Sequence, residues 1–100
     1  MSEQPTPTPT ITLETPIQRG EQTIDQVSLR KPTAGELRGI KLAELLASDV
    51  GSVITLIPRI SIPTLTTQDA AALDPVDFAA IAGEVIGFFM SRAQRETLSQ

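Results

Sequence analysis

The sequence predicts a small α+β domain in which an N-terminal β-hairpin, Thr10 to Arg30, packs on three or four helices. The first observation is a change of period, because apolar residues alternate with polar ones in the hairpin and recur at helical intervals after Pro32. The second observation is the stretch from Phe78 to Met90 in the last helix, in which only Glu84 is charged. A helix this apolar must be covered by its own domain or by a partner. We therefore expect the C-terminal helix to be the most apolar element and to organise the fold.

Period-two alternation carries the hairpin prediction. The apolar positions of the two strands are Ile11, Leu13, Ile17, Val27 and Leu29. Gly20 lies between the strands and can adopt the positive φ that a tight turn requires. Ile24 is out of phase, which indicates a bulge near Asp25–Gln26 or a change of face. Pro16 has no amide hydrogen, so its strand is expected at a sheet edge.

Two further helices are expected after the hairpin. Thr33 and Glu36 have the spacing of a capping box, and the apolar spacing after them predicts one helix continuing to Leu46. A second helix is expected to end near Leu56, because Pro58 lacks an amide donor and clashes with the preceding turn. The residues after Pro58 are expected to form a turn.

Three aspartates stand near the starts of the remaining helices. Asp69 lies three residues after Thr66, which predicts a short helix, and Asp74 precedes Pro75 as a cap does. Asp77 then supplies negative charge to the first turn. The three carboxylates could also form an acidic metal cluster, but capping explains each of them, so no metal site is expected.

Composition argues against catalysis and against cofactor binding. The chain has no cysteine and no histidine, and its net charge is −4. Thiolate chemistry, disulfides and the commonest general base are therefore absent, and no general attraction to nucleic acid or anionic membrane is expected. No segment has the pattern of a signal peptide. We expect an intracellular, soluble, non-enzymatic protein.

Positive charge is concentrated in one region, at Arg30, Lys31, Arg38 and Lys41. This cluster could bind a phosphate or an acidic partner. A solvated helix face is the commoner explanation of such a group, because exposed charges rarely need a partner.

The sequence divides into three parts. Residues 1–10, in which proline and threonine alternate from Pro5 to Thr10, are expected to form a disordered leader. Residues 11–90 are expected to form a single domain. Residues 91–100 are polar and are expected to fray.

Small residues recur every four positions in the last helix, at Ala79, Gly83 and Gly87. Such a stripe allows another backbone to approach closely, which would suit self-association. An alternative is an ordinary core helix with small residues where its own fold is crowded. Glu84 in the same helix is expected to face solvent, since an unpaired buried glutamate is rare.

Seven stretches of the chain, in order and at matching spacing, resemble the tail assembly chaperones of contractile-tailed bacteriophages, E-type small tail proteins. These stretches are Leu13–Ile17, Val27–Glu36, Leu37–Gly39, Leu56–Ile60, Leu65–Thr66, Leu73–Pro75 and Gly83–Phe89. The resemblance covers Ile11 to about Met90. The leader and the last ten residues lie outside it.

The resemblance implies a chaperone that keeps the tape measure protein soluble in the host bacterial cytoplasm while the tail tube assembles, and that is absent from the finished virion. It also implies two products, a short form and a longer form made by translational frameshift near the end of the gene. A run of uridines encoding Phe88 and Phe89 would suit that frameshift. The partners expected are therefore the tape measure protein, the longer form and further copies of the chain.

A client surface is expected on the last helix, which contains every aromatic residue of the chain. Its residues would be Phe78, Ile81, Val85, Phe88 and Phe89, since apolar anchors commonly receive an amphipathic helix. Two other functions stay open. One is a structural tail or adaptor subunit retained in the particle. The other is a small nucleic-acid-binding regulator, which the acidic net charge disfavours.

Overall fold

A three-stranded antiparallel sheet lies against the helices in the computed structural model, which describes residues 9–91. Strand β1 spans Thr10–Arg19, β2 spans Gln22–Leu29 and the short β3 spans Ser61–Ile62, in the order β1-β2-β3. The predicted hairpin is confirmed, and Gly20 at its turn has a φ of +61°. Strand β3 replaces part of the turn expected after Pro58. The expectations for the leader and the tail fall almost entirely outside the described residues.

The irregularity predicted in the hairpin belongs mainly to the other strand. Thr12 pairs with Gln26 and Ile17 pairs with Ile24, so the surplus residues lie in β1, opposite Asp25 of β2. Ile24 and Val27 of β2 are both buried, although the two are out of phase in sequence.

Within residues 9–91, four α-helices follow the hairpin, so the α+β class is confirmed. They are α1 (Leu42–Leu46), α2 (Val50–Ile60), α3 (Thr67–Ala71) and α4 (Pro75–Phe88). A single 3₁₀ turn, Ala34–Leu37, precedes α1.

The prediction of a single helix from Thr33 to Leu46 is wrong. The chain leaves the 3₁₀ turn at Arg38, and Gly39 has a φ of +81°, which interrupts the helix before α1. Arg59 stabilises the backbone at this break, because its guanidinium donates hydrogen bonds to the carbonyls of Glu36 at 2.6 Å and Arg38 at 2.8 Å.

The prediction that α2 ends near Leu56 is also wrong, because the helix continues through Pro58 to Ile60. Proline removes one helical hydrogen bond. Burial of Leu56, Ile57 and Ile60, each at most 1% exposed, offsets that loss. The core also takes in residues from β2, α1, the first half of α2, the loop before α3, and α4: Val27, Leu29, Leu45, Val53, Leu65, Ile81 and Val85.

Candidate interaction surface

The N-terminus of α4 is fastened to the bulge of β1 by two aspartates. Asp74 caps the helix by accepting from the Val76 amide at 2.8 Å, as the sequence predicts, and it also accepts from the Thr15 hydroxyl at 3.2 Å. Asp77 is 1% exposed and accepts from the amides of Glu14 at 2.7 Å and Thr15 at 3.1 Å. Asp77 thus satisfies two strand donors that β2 leaves unpaired. Its sequence position indicates a first-turn charge and gives no sign of this contact.

One face of α4 is directed into the core. Ile81 and Val85 have no exposed surface, and Phe78, Phe88 and Phe89 are partly buried against the same cluster. The five residues of the expected client surface are therefore packed with their own domain. Only the three phenylalanines retain surface that a client could reach in this fold.

The opposite face of α4, which we call the α4 outer face, is exposed. Its residues are Val76, Ala79, Ala80 and Gly83, and Val76 is 58% exposed. A Cβ atom added at Gly83 would meet no atom within 4 Å. The alternative that the small residues relieve crowding within their own fold is therefore wrong at Gly83. Glu84 lies beside this face and is exposed, as expected.

A second apolar surface lies on α1 and at the start of α2. We call it the α1 patch: Leu42, Leu46 and Val50, which are 49%, 45% and 57% exposed. Leu42 and Leu46 are four residues apart and share one side of α1, whereas Leu45 between them is fully buried. Sequence periodicity alone assigns all three leucines to one buried face, so it misses this patch.

The positive cluster is partly neutralised within the chain. Arg30 forms an ion pair with Glu36, which lowers the pKa of that carboxyl group to about 2 through the Arg30 hydrogen bond and one from the Thr33 amide. Lys31, Arg38 and Lys41 are exposed. The cluster is therefore smaller than its sequence suggests.

A second ion pair joins the hairpin to α3. Arg19 donates to Asp69 at 2.6 Å and to the Thr64 carbonyl at 3.0 Å. The Thr66 amide and Arg19 lower the pKa of Asp69. Thr66 and Asp69 form a capping box at the start of α3, the short helix predicted there.

The described part of the chain offers neither a metal site nor a membrane span. Within residues 9–91, acidic side chains form no group able to hold a metal ion. None of the helices in that range has the length and apolar content needed to cross a bilayer. Exposed apolar surface within this range includes the α4 outer face, the adjoining phenylalanines and the α1 patch.

Comparison with known proteins identifies the class. A family model described as phage tail assembly chaperone proteins, E, or 41 or 14, matches residues 10–90. The chain belongs to this family of phage tail assembly chaperones, which is not an enzyme family.

Two proteins of Escherichia phage P2 are similar to the chain. It is 51% identical over 78 residues to tail assembly protein E, covering 78% of this chain and 86% of that protein. It is 49% identical over 81 residues to tail assembly protein E′, covering 81% of this chain but only 57% of the relative. No solved structure gives a significant match.

Proposed function

We propose that this protein is a tail assembly chaperone that binds the tape measure protein of its phage and keeps it soluble in the host cytoplasm, without catalysis. The observation that carries the proposal is the family match over residues 10–90. The fold agrees with it, because two apolar surfaces are exposed on a domain whose core is already filled. Exposed apolar patches are typical of surfaces that bind other proteins.

The client site proposed here is centred on the accessible parts of Phe78, Phe88 and Phe89. Ile81 and Val85 support these side chains from the core side of α4. Aromatic anchors beside an exposed apolar face suit an amphipathic client helix.

Co-expression tests the client site. The tape measure protein of the same phage should be more soluble with the parent chain, and Phe88→Ser should reduce that rescue. Ile17→Ser is the matched control, since Ile17 is also partly buried against the core but lies in the hairpin. Circular dichroism establishes that both variants are folded. Equal rescue by the two variants would place the client site elsewhere.

Absence from the virion separates a chaperone from a structural subunit. Mass spectrometry of purified particles should detect tail tube protein and no peptide of this chain. Stoichiometric recovery of the chain in particles would favour the tail or adaptor subunit instead.

We further propose self-association through the α4 outer face together with the stripe residues Ala79, Gly83 and Gly87. The open space at Gly83 supports this, because a second backbone could approach there without displacing core side chains. Gly83→Leu should reduce the sedimentation coefficient of the parent oligomer. A parent chain that stays monomeric at high concentration would contradict the proposal.

A longer product of the same gene is the last part of the proposal. Proteins E and E′ of phage P2 each align with about four-fifths of this chain, although E′ is longer. Helix α4 ends at Phe88, so a frameshift at Phe88 and Phe89 would preserve every described strand and helix and change only the residues beyond α4. Two linked contacts to one client would raise avidity.

Intact-mass analysis tests for the longer product and should find a second, larger protein that shares the N-terminal sequence of this chain. The nucleotide sequence tests the position of the frameshift, because codons for Phe88 and Phe89 that are interrupted by cytidine would contradict slippage there.

A further inference from the structure

One side of strand β1 presents backbone groups that face no other strand. The order β1-β2-β3 puts β1 at the margin of the sheet. The Leu29 amide donates to the Pro9 carbonyl at 3.0 Å, so Pro9 and Ile11 direct their backbone groups toward β2. Thr10 and Thr12 therefore direct their amides and carbonyls away from β2, and both residues are exposed. We call these outward backbone groups the β1 outer edge.

A side-chain contact supports this assignment of directions. Thr10 lies opposite Ser28, and their hydroxyl oxygens are 2.9 Å apart. Facing side chains come closest where the two residues exchange no backbone hydrogen bonds. The Arg30 amide donates to the Ile60 carbonyl at 3.0 Å, so Arg30 and Ser28 direct their backbone groups toward the β3 side of β2. The backbone groups of Thr10 are therefore left to the outside of the sheet.

Protection of this edge begins only at the bulge. Asp77 accepts from the amides of Glu14 at 2.7 Å and Thr15 at 3.1 Å, and Pro16 has no amide hydrogen. Exposed edge strands are usually protected by charges, prolines or bulges of this kind. Residues 10–13 contain neither a charge nor a proline. The part of β1 that precedes the bulge is thus open to another strand.

The sequence before β1 continues the pattern of the β1 outer edge. Prolines alternate with threonines in the order Pro5, Thr6, Pro7, Thr8, Pro9 and Thr10. Backbone groups alternate in direction along an extended chain, so Thr6 and Thr8 share the direction of Thr10. The prolines would face the other side, where β2 has already ended at Leu29, and their missing donors cost nothing there. Such a segment can pair along one edge only.

We propose that the β1 outer edge of one copy pairs antiparallel with the β1 outer edge of a second copy, joining the two three-stranded sheets. An open strand edge is satisfied by another extended strand, through main-chain hydrogen bonds. A second copy supplies such a strand. Residues 5–13 carry no charge, so the segment does not repel its own copy.

The proposed register is centred on Pro9 of both copies. Thr8 then lies opposite Thr10 of the second copy, and Thr6 lies opposite Thr12. This register uses every outward threonine and leaves the two amides that Asp77 binds undisturbed. The contact is two-fold symmetric, because the same segment serves on both sides. It goes beyond the function proposed above and is separate from the contact proposed for α4.

Hydrogen exchange of individual backbone amides, followed by NMR, tests the pairing in the full-length chain. The amides of Thr10 and Thr12 should exchange about tenfold or more slowly in concentrated protein than in dilute protein. The Ile11 amide is the internal control, since it faces β2 within the same copy and its exchange should not depend on concentration.

Proline substitutions remove the outward donors. Thr12→Pro removes one donor from each copy and leaves the backbone groups that face β2 in place. Thr8→Pro does the same before the first described strand, so it keeps the test valid if Thr12→Pro does not fold. Each should raise the dissociation constant of the pair about tenfold or more. Thr12→Val and Thr8→Val are the matched controls, because they keep the amide hydrogen and should retain the protection of Thr10.

Each other outcome overturns a defined part of the inference. Equal exchange of Thr10 and Thr12 at all concentrations overturns it, as does protection that both proline variants retain. Protection that appears only when the tape measure protein is added would assign the edge to a client strand and overturn pairing between copies. Gly83→Leu should leave the edge protection unchanged, and loss of that protection would overturn the edge as a contact of its own. Failure of the α4 contact or of tape measure rescue alone leaves the edge pairing standing.

Discussion

Both faces of α4 are mostly apolar, yet the fold buries one and leaves the other exposed. The inner face carries the large residues Ile81 and Val85, which have no exposed surface. The outer face carries Ala79, Ala80 and Gly83, which are exposed. The apolar sequence of α4 by itself does not distinguish the face that the domain buries from the face that it leaves exposed. The size of its side chains indicates which side its own core covers.

The largest effect is expected on the inner face. Ile81→Ala should lower the free energy of unfolding by about 2–5 kcal/mol, because it leaves a cavity in the core. Ala80→Ser on the outer face should stay within about 0.5 kcal/mol of the parent. Urea titration at low protein concentration measures both. Similar losses in the two variants would remove the distinction between the faces.

The next largest loss of stability is expected at the start of α4, where Asp77 binds the bulge of β1. Asp77→Ala should cost about 1.5–3 kcal/mol, since the amides of Glu14 and Thr15 lose a charged acceptor. Asp77→Asn keeps one acceptor oxygen and should fall between the parent and Asp77→Ala. Urea titration of the three proteins provides the ranking. A neutral effect of Asp77→Ala would mean that the bulge does not depend on α4.

A small gain is expected on the outer face. Gly83→Ala should raise the free energy of unfolding of the monomer by about 0.5–1 kcal/mol, because glycine is a poor residue for a helix interior. No neighbouring atom within 4 Å opposes the added methyl group. Thermal unfolding at low protein concentration checks this. A loss of stability would show that the outer face is crowded.

The smallest effect concerns the loop that leads to α1. The pKa of Glu36 is lowered from 4.5 to about 2 by Arg30 and the Thr33 amide. The stabilisation from its ionised form is therefore present above pH 4.5 and is lost as the pH falls toward 2. Because the pair is at the surface, the effect should be slight. Urea midpoints across this range should fall less for Glu36→Gln than for the parent; parallel curves would contradict the assignment.

Local signals in the sequence were sufficient for much of the fold. Gly20 marks the hairpin turn, and Asp74 with Pro75 marks the start of α4, because in each case the residue acts on the backbone next to it. The exposure of Glu84 agrees with the cost of burying an unpaired carboxylate.

The features that the sequence did not predict depend on contacts between residues that are far apart in the chain. Arg59 stabilises the break before α1 through carbonyls about twenty residues earlier in the chain. Asp77 reaches the bulge of β1 more than sixty residues away. In α1, Leu42 and Leu46 are exposed while Leu45 enters the core. None of these contacts has a local sequence pattern.

Thiol labelling tests most directly whether a second copy covers the α4 outer face. The chain contains no cysteine, so Ala80→Cys introduces a single reporter on that face, and Glu21→Cys at the hairpin turn provides an exposed control. We expect the Ala80→Cys thiol to react quickly in dilute protein and progressively more slowly as concentration rises, while the control rate stays constant. Equal reactivity of the Ala80→Cys thiol at all concentrations would contradict coverage of this face by a second copy.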